Sequence, residues 1–182
     1  MKRILLIAVA VCATLAFVFA QSRSQSNPKQ AARQQRHEER QQRRAQRLAE
    51  YEKYVDSLVL SRNFRFNPQT MQRQPAGMMR NRLIPNYDLS VWDETVDVCL
   101  PFIEGYPPPY YPVVFNYVLP SVQGYTTEQT HDGWTVTFQT SLFSANTYTF
   151  SLEIYSRYGG ATLTISSPFY NSVQYTGSII SI

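Results

Sequence analysis

From Ile84 to the C-terminus, apolar side chains recur at every second residue, and this period restricts the fold more than any other feature. Tyr87, Leu89 and Val91 alternate with Asp88, Ser90 and Trp92. Asp93-Glu94 turns the chain, and Val96, Val98 and Leu100 return in a hairpin that ends at Pro101. A strand over Val122–His131 leads to Asp132-Gly133, a favoured two-residue hairpin turn. Trp134, Val136 and Phe138 follow, then Tyr148, Phe150, Leu152 and Ile154, the cleanest alternating face in the sequence. Ala161, Leu163 and Ile165 precede a last strand with Val173, Tyr175, Gly177 and Ile179. Turns fall at Ser144-Ala145-Asn146, at Arg157 to Gly160, and around Pro168 and Asn171.

A strand sends successive side chains to opposite faces. One face here is apolar, and the other is rich in Thr, Ser and Gln. Short turns between consecutive strands make an antiparallel meander. The prediction is a single, mainly β domain with an N-terminal helix, its curled sheet a partly open barrel or a two-layer sandwich.

The helix is read over residues 45–60, where Leu48, Tyr51, Val55, Leu58 and Val59 recur at helical spacing. Phe64 and Phe66 alternate with Arg65, which predicts a strand near 62–67; Pro68 and Pro75-Ala76-Gly77 mark a turn or loop. Residues 105–112, GYPPPYYP, read as a stiff extended loop, because proline fixes φ and removes a hydrogen-bond donor.

The first 20 residues read as a cleavable signal peptide. Lys2 and Arg3 precede a 17-residue apolar run from Ile4 to Ala20, and Val18-Phe19-Ala20 fits a cleavage site. A membrane span needs about 20 apolar residues, so cleavage after Ala20 is preferred and the mature chain is expected in the periplasm or cell envelope. Only Cys99 then remains, so no intramolecular disulfide contributes and the packed core carries the stability.

Charge divides the mature chain. Residues 21–82 carry 14 Lys/Arg against 5 Asp/Glu, whereas residues 83–182 carry one basic residue, Arg157, against 8 acidic ones. Residues 21–44 are Gln- and Arg-rich with no apolar period, which reads as a tether, disordered or a solvated helix. An anionic envelope surface or an acidic protein face suits such a segment; export argues against nucleic acid.

The order of pieces resembles a family of exported bacterial proteins called domain of unknown function 4251. It is carried by a helix, an RNF-RF strand, PNYDLSVWDETVDVCLPF, a Tyr/Pro loop, NTYTFSLEIYSRYGGATLTISS and a closing VQYTGSI, over about residues 45–182. The resemblance implies export and a β-rich fold. It transfers no activity and no catalytic residue.

Chemistry-bearing residues are sparse. The mature chain has His37 in the basic segment and His131 beside Asp132 at a hairpin tip, too few for a zinc site. No Ser stands in a Gly-x-Ser-x-Gly turn. Cys99 has no basic neighbour in sequence to lower its pKa. The carboxylates fall at turns or on polar strand faces, and no pair is singled out. No catalytic residue, metal ligand or cofactor is therefore assigned. Tyr106, Tyr110 and Tyr111, set among four prolines, are the candidate ligand-binding residues. Rigid tyrosines stack on sugars or peptides at little entropic cost; the alternative is a stiff cover over one end of the sheet. The expected function is a non-enzymatic periplasmic or surface-associated binding module. A hydrolase of envelope or dietary polymers and a structural spacer are the alternatives.

Overall fold

The computed structural model describes residues 28–74, 81–83, 86–104, 111–142, 146–157 and 159–182. The segment read as a signal peptide and the start of the basic segment, with Pro75-Ala76-Gly77, Tyr106, Tyr110 and Ser144-Ala145, lie outside the described residues. Among the described residues one helix, α1 (Pro28–Leu60), precedes ten strands. They are β1 (Asn63–Arg73), β2 (Asn81–Arg82), β3 (Asp88–Trp92), β4 (Thr95–Glu104) and β5 (Tyr111–Leu119), then β6 (Gln123–Gln129), β7 (Gly133–Leu142), β8 (Asn146–Tyr155), β9 (Gly160–Ser166) and β10 (Val173–Ile180).

The chain divides between Arg47 and Leu48 into two compact units. In the first, α1 begins at Pro28, a first-turn residue whose missing N–H has no intrahelical partner to lose. Lys29 to Arg47 are exposed apart from the half-buried Ala31.

The second unit is one antiparallel sheet in the order β5-β4-β3-β1-β10-β9-β8-β7-β6, with β2 pairing β1 off this path. The two ends, β5 and β6, do not pair with each other, so the barrel stays open. The curl follows from ring contacts across the interior. Phe102 of β4 and Phe115 of β5 meet the Tyr148 ring of β8 with centroids 5.7 and 5.2 Å apart. Those strands are five and six steps from β8, roughly 24–29 Å in a flat sheet. Tyr175 of β10 reaches the same side, and its hydroxyl donates to the Pro101 carbonyl at 2.5 Å.

Alternation supplies the core as the sequence predicts. Phe64, Phe66, Leu89, Val91, Val98, Leu100, Phe138, Phe150, Leu152, Leu163 and Tyr175 are all buried. Val55, Leu58 and Val59 add the last turns of α1 to that core, whereas Leu48 at the other end of the predicted stripe stays 47 % exposed. Trp134 Nε1 donates to Asp56 at 2.7 Å and the Tyr54 hydroxyl accepts from the Ser181 N–H at 3.1 Å, fixing this end of the helix on the domain.

Several boundaries differ from the sequence reading, each for a local reason. Pro68 does not end its strand. β1 continues to Arg73 through a bulge between Pro68 and Thr70, and bulges are where a strand tolerates proline. Pro101 sits within β4, past Cys99, the last β4 residue that pairs with β3, so no ladder bond is lost on that side. Tyr111 and Pro112 are not loop but the start of β5, an edge strand. No alternation marks this strand in the sequence, because Val113-Val114-Phe115 is a continuous apolar run. β6 ends at Gln129, and the turn lies one residue earlier than Asp132-Gly133: the Thr130 N–H bonds the Gly133 carbonyl, and Gly133 opens β7.

Burial pushes the Tyr125 hydroxyl up to about 12 despite the Arg62 guanidinium lying 4.3 Å from its ring centroid. Tyr175 is raised further by burial. A folded pKa above the unfolded value near 10 keeps its full stability contribution below that pH and loses it as pH rises. Denaturation midpoints are therefore expected to fall from pH 10 upward, and Tyr125→Phe is expected to flatten part of that loss between pH 10 and 12.

Candidate functional site

β1 changes partners along its length, and a groove lies where it does so. Residues Asn63 to Phe66 pair with β3, and Thr70 and Met71 pair with β2. Between them, Asn67 and Pro68 have β10 on one side and no strand on the other among the described residues. The groove at this break has a volume of about 690 Å³ and is lined by Arg65, Asn67, Gln69, Arg82, Leu83 and Tyr87, with Pro68 and Ser178 completing it. Ligand pockets commonly fall in this size range.

Two cations face the groove, and among the described residues no carboxylate lines it. The strand pleat turns Phe64 and Phe66 inward and leaves Arg65 outward. Arg65 Nε donates to the Ser90 hydroxyl at 2.9 Å and lies 3.3 Å from Asp88. The Ser90 hydroxyl in turn donates to Asp88 at 2.9 Å. This network anchors one edge of the guanidinium, which carries five N–H donors in all. Arg82 is exposed on β2, and the Leu83 N–H bonds the Gln69 carbonyl at 2.9 Å, holding that short strand on β1. Leu83 and Tyr87 are half-buried and packed on the core, so the groove offers apolar surface beside its cations.

Beyond the groove, on the same outer face, lie Asp97 and Cys99. Burial first and then the nearby Asp88 carboxylate raise the Asp97 carboxyl. Burial, then Asp88 and Asp97, push the Cys99 thiol up. A thiol held protonated by neighbouring anions is a poor nucleophile.

A family model for a domain of unknown function, DUF4251, matches residues 46–179. The chain belongs to this family. The crystal structure of a DUF4251 protein from Bacteroides eggerthii superposes with a TM-score of 0.54 at 16 % identity, covering 72 % of this chain and 87 % of that one. At that identity the likeness speaks for the DUF4251 fold alone. No curated protein matches the chain.

Of the residues singled out by sequence in this DUF4251 chain, His131 and Asp132 lie 3.0 Å apart at an exposed hairpin tip. They line a second cleft of about 200 Å³ with Glu52 and Asp56. Each acid there has a partner: Asp56 accepts from Trp134, Glu52 lies 3.6 Å from Arg157, and Asp132 faces His131. No cluster of three metal-ligating side chains occurs among the described residues. Tyr111 opens β5 opposite Glu104 of β4. Arg65 and Arg82 were not singled out by sequence. Arg65 carries a usable signal, a cation between two buried phenylalanines on an alternating strand. Arg82 carries none, because a two-residue strand has no period.

Proposed function

We propose that this DUF4251 protein is an exported, non-enzymatic binding module whose ligand is a small anion with an apolar part, held in the groove beside β1. The observation that carries the reading is the pairing of Arg65 and Arg82 with Leu83 and Tyr87 around one opening that no described carboxylate lines. Guanidinium groups match carboxylate and phosphate oxygens in a fork geometry, and a half-buried tyrosine gives the apolar part a face to pack on. The same lining favours binding over hydrolysis. Among the described residues it contains no His, Cys, Asp or Glu to act as base or nucleophile, and the serine that lines it, Ser178, has no such partner there. In the His131 cleft Asp56 and Glu52 are committed to Trp134 and Arg157, and Asp132 faces only the exposed His131 beside it. Export rests on the charged and apolar pattern of residues 1–20, and the Tyr106, Tyr110 and Tyr111 segment is proposed as a further contact surface.

Phenyl phosphate, an anion bearing one ring, is a suitable probe. Titration calorimetry is expected to give millimolar binding that Arg82→Gln weakens roughly 10-fold, the worth of one charge-assisted hydrogen bond. Phenol should not bind. Equal affinity of Arg82→Gln and the wild type would remove the groove as the site.

A further inference from the structure

We propose that α1 binds a linear acidic polysaccharide along one face between Arg33 and Arg47, a second site independent of the groove. Arg33, Arg36, Arg40, Arg43 and Arg47 follow one another at steps of three and four residues, and Arg44 sits beside them. At 3.6 residues per turn these six side chains fall within an arc of about 100° and along about 21 Å of helix. All six are exposed. Glu38 projects from the opposite side of the helix and Glu39 from the flank, so the stripe itself is free of acids.

Such a stripe opposes its own helix, because like charges three and four residues apart repel. A partner with negative charges in a row relieves that repulsion along the whole length. The rest of the segment identifies the kind of polyanion. A helix that inserts into a bilayer surface needs an apolar face, but the remainder here is Gln and Ala with His37, Glu38 and Glu39, and no large apolar residue lies between Lys29 and Arg47. Single-stranded nucleic acid is gripped by stacking on aromatic rings, and this stretch has no Phe, Tyr or Trp. Gln30, Gln34 and Gln41 border one side of the stripe, and Gln35, Gln42 and Gln46 lie beyond the other. Primary amides donate and accept at once, which suits the hydroxyls of a sugar chain between its carboxylates.

The test uses the chain from Gln21 onward and polygalacturonate as the probe. Neutralising six charges on a flexible polyanion gives a log–log salt slope of about −4, or roughly a 300-fold loss of affinity between 50 and 200 mM salt. The combined variant Gln35→Arg, Arg36→Gln, Gln42→Arg, Arg43→Gln keeps composition and net charge but moves two arginines to the far side. It is expected to bind at least 10-fold more weakly, with unchanged helix content by circular dichroism. Arg82→Gln is expected to bind the polymer like the wild type, which separates this site from the groove. Equal binding by the rearranged variant, a salt slope near −1, or preference for oligothymidylate or phosphatidylglycerol vesicles would each overturn the proposal.

Discussion

Replacing Gly177 by valine is expected to destabilise the domain by about 3–4 kcal/mol, placing it among the severe single substitutions. Gly177 stands in β10 opposite Pro68, where β1 bulges. The bulge brings the Asn67 carbonyl oxygen to 2.1 Å from the place a Cβ would occupy, with the Pro68 Cα at 2.9 Å. Both obstacles are backbone, so no side chain can swing away. Only separation of β1 from β10 relieves the clash, and these strands join the two halves of the sheet. The melting temperature is expected to fall by roughly 6–16 °C, from about 2–4 °C per kcal/mol in a domain of this size. Because Asn67 and Pro68 also line the groove, any folded fraction should bind phenyl phosphate poorly.

Truncating Phe150 to alanine should cost about 3–5 kcal/mol, the range for deleting a buried aromatic ring. The side chain is fully buried and stacks on Phe138 with centroids 4.9 Å apart and planes 10° from parallel. Tyr125 continues the stack on the far side of Phe138. The space left is walled by strands on both sides, since Phe150 pairs with Phe138 in β7 and Ile165 in β9. Its sequence neighbour Ser151 faces outward, and Ser151→Ala should change stability by no more than about 0.5 kcal/mol. Urea denaturation of both variants checks the contrast: similar losses for the two would mean that the faces of β8 are not distinct.

The fold was legible where the period of two is unbroken. Tyr148 to Ile154, Ala161 to Ile165 and Val173 to Ile179 are strands with the predicted faces inward. Asp93 adopts positive φ in the predicted turn after Trp92, a conformation aspartate tolerates better than most residues. Pro68, Pro101 and Pro112 lie in stretches of strand that the sequence does not mark, because the local cost of a proline depends on whether a strand lies on the side it faces. That is a fact of tertiary pairing, invisible in one sequence. The groove was invisible for the same reason. It exists because β1 exchanges β3 for β2, and nothing in Arg65 or Arg82 alone records which strands lie beside them. The degree of curl was also beyond the sequence: alternation says which side chains turn inward, not that β4 and β5 come round to face β8.

That curl is the central structural claim, since it closes the apolar face on itself and leaves the groove on the polar outside. A double-mutant cycle on Phe115→Leu and Tyr148→Leu, measured by urea denaturation, tests it directly. The rings meet edge to face at 5.2 Å from strands at opposite parts of the sheet. The predicted coupling is about 0.5–1.5 kcal/mol, the worth of an aromatic pair beyond its buried area. Strictly additive losses would mean that the two wings never touch and would contradict the half-barrel.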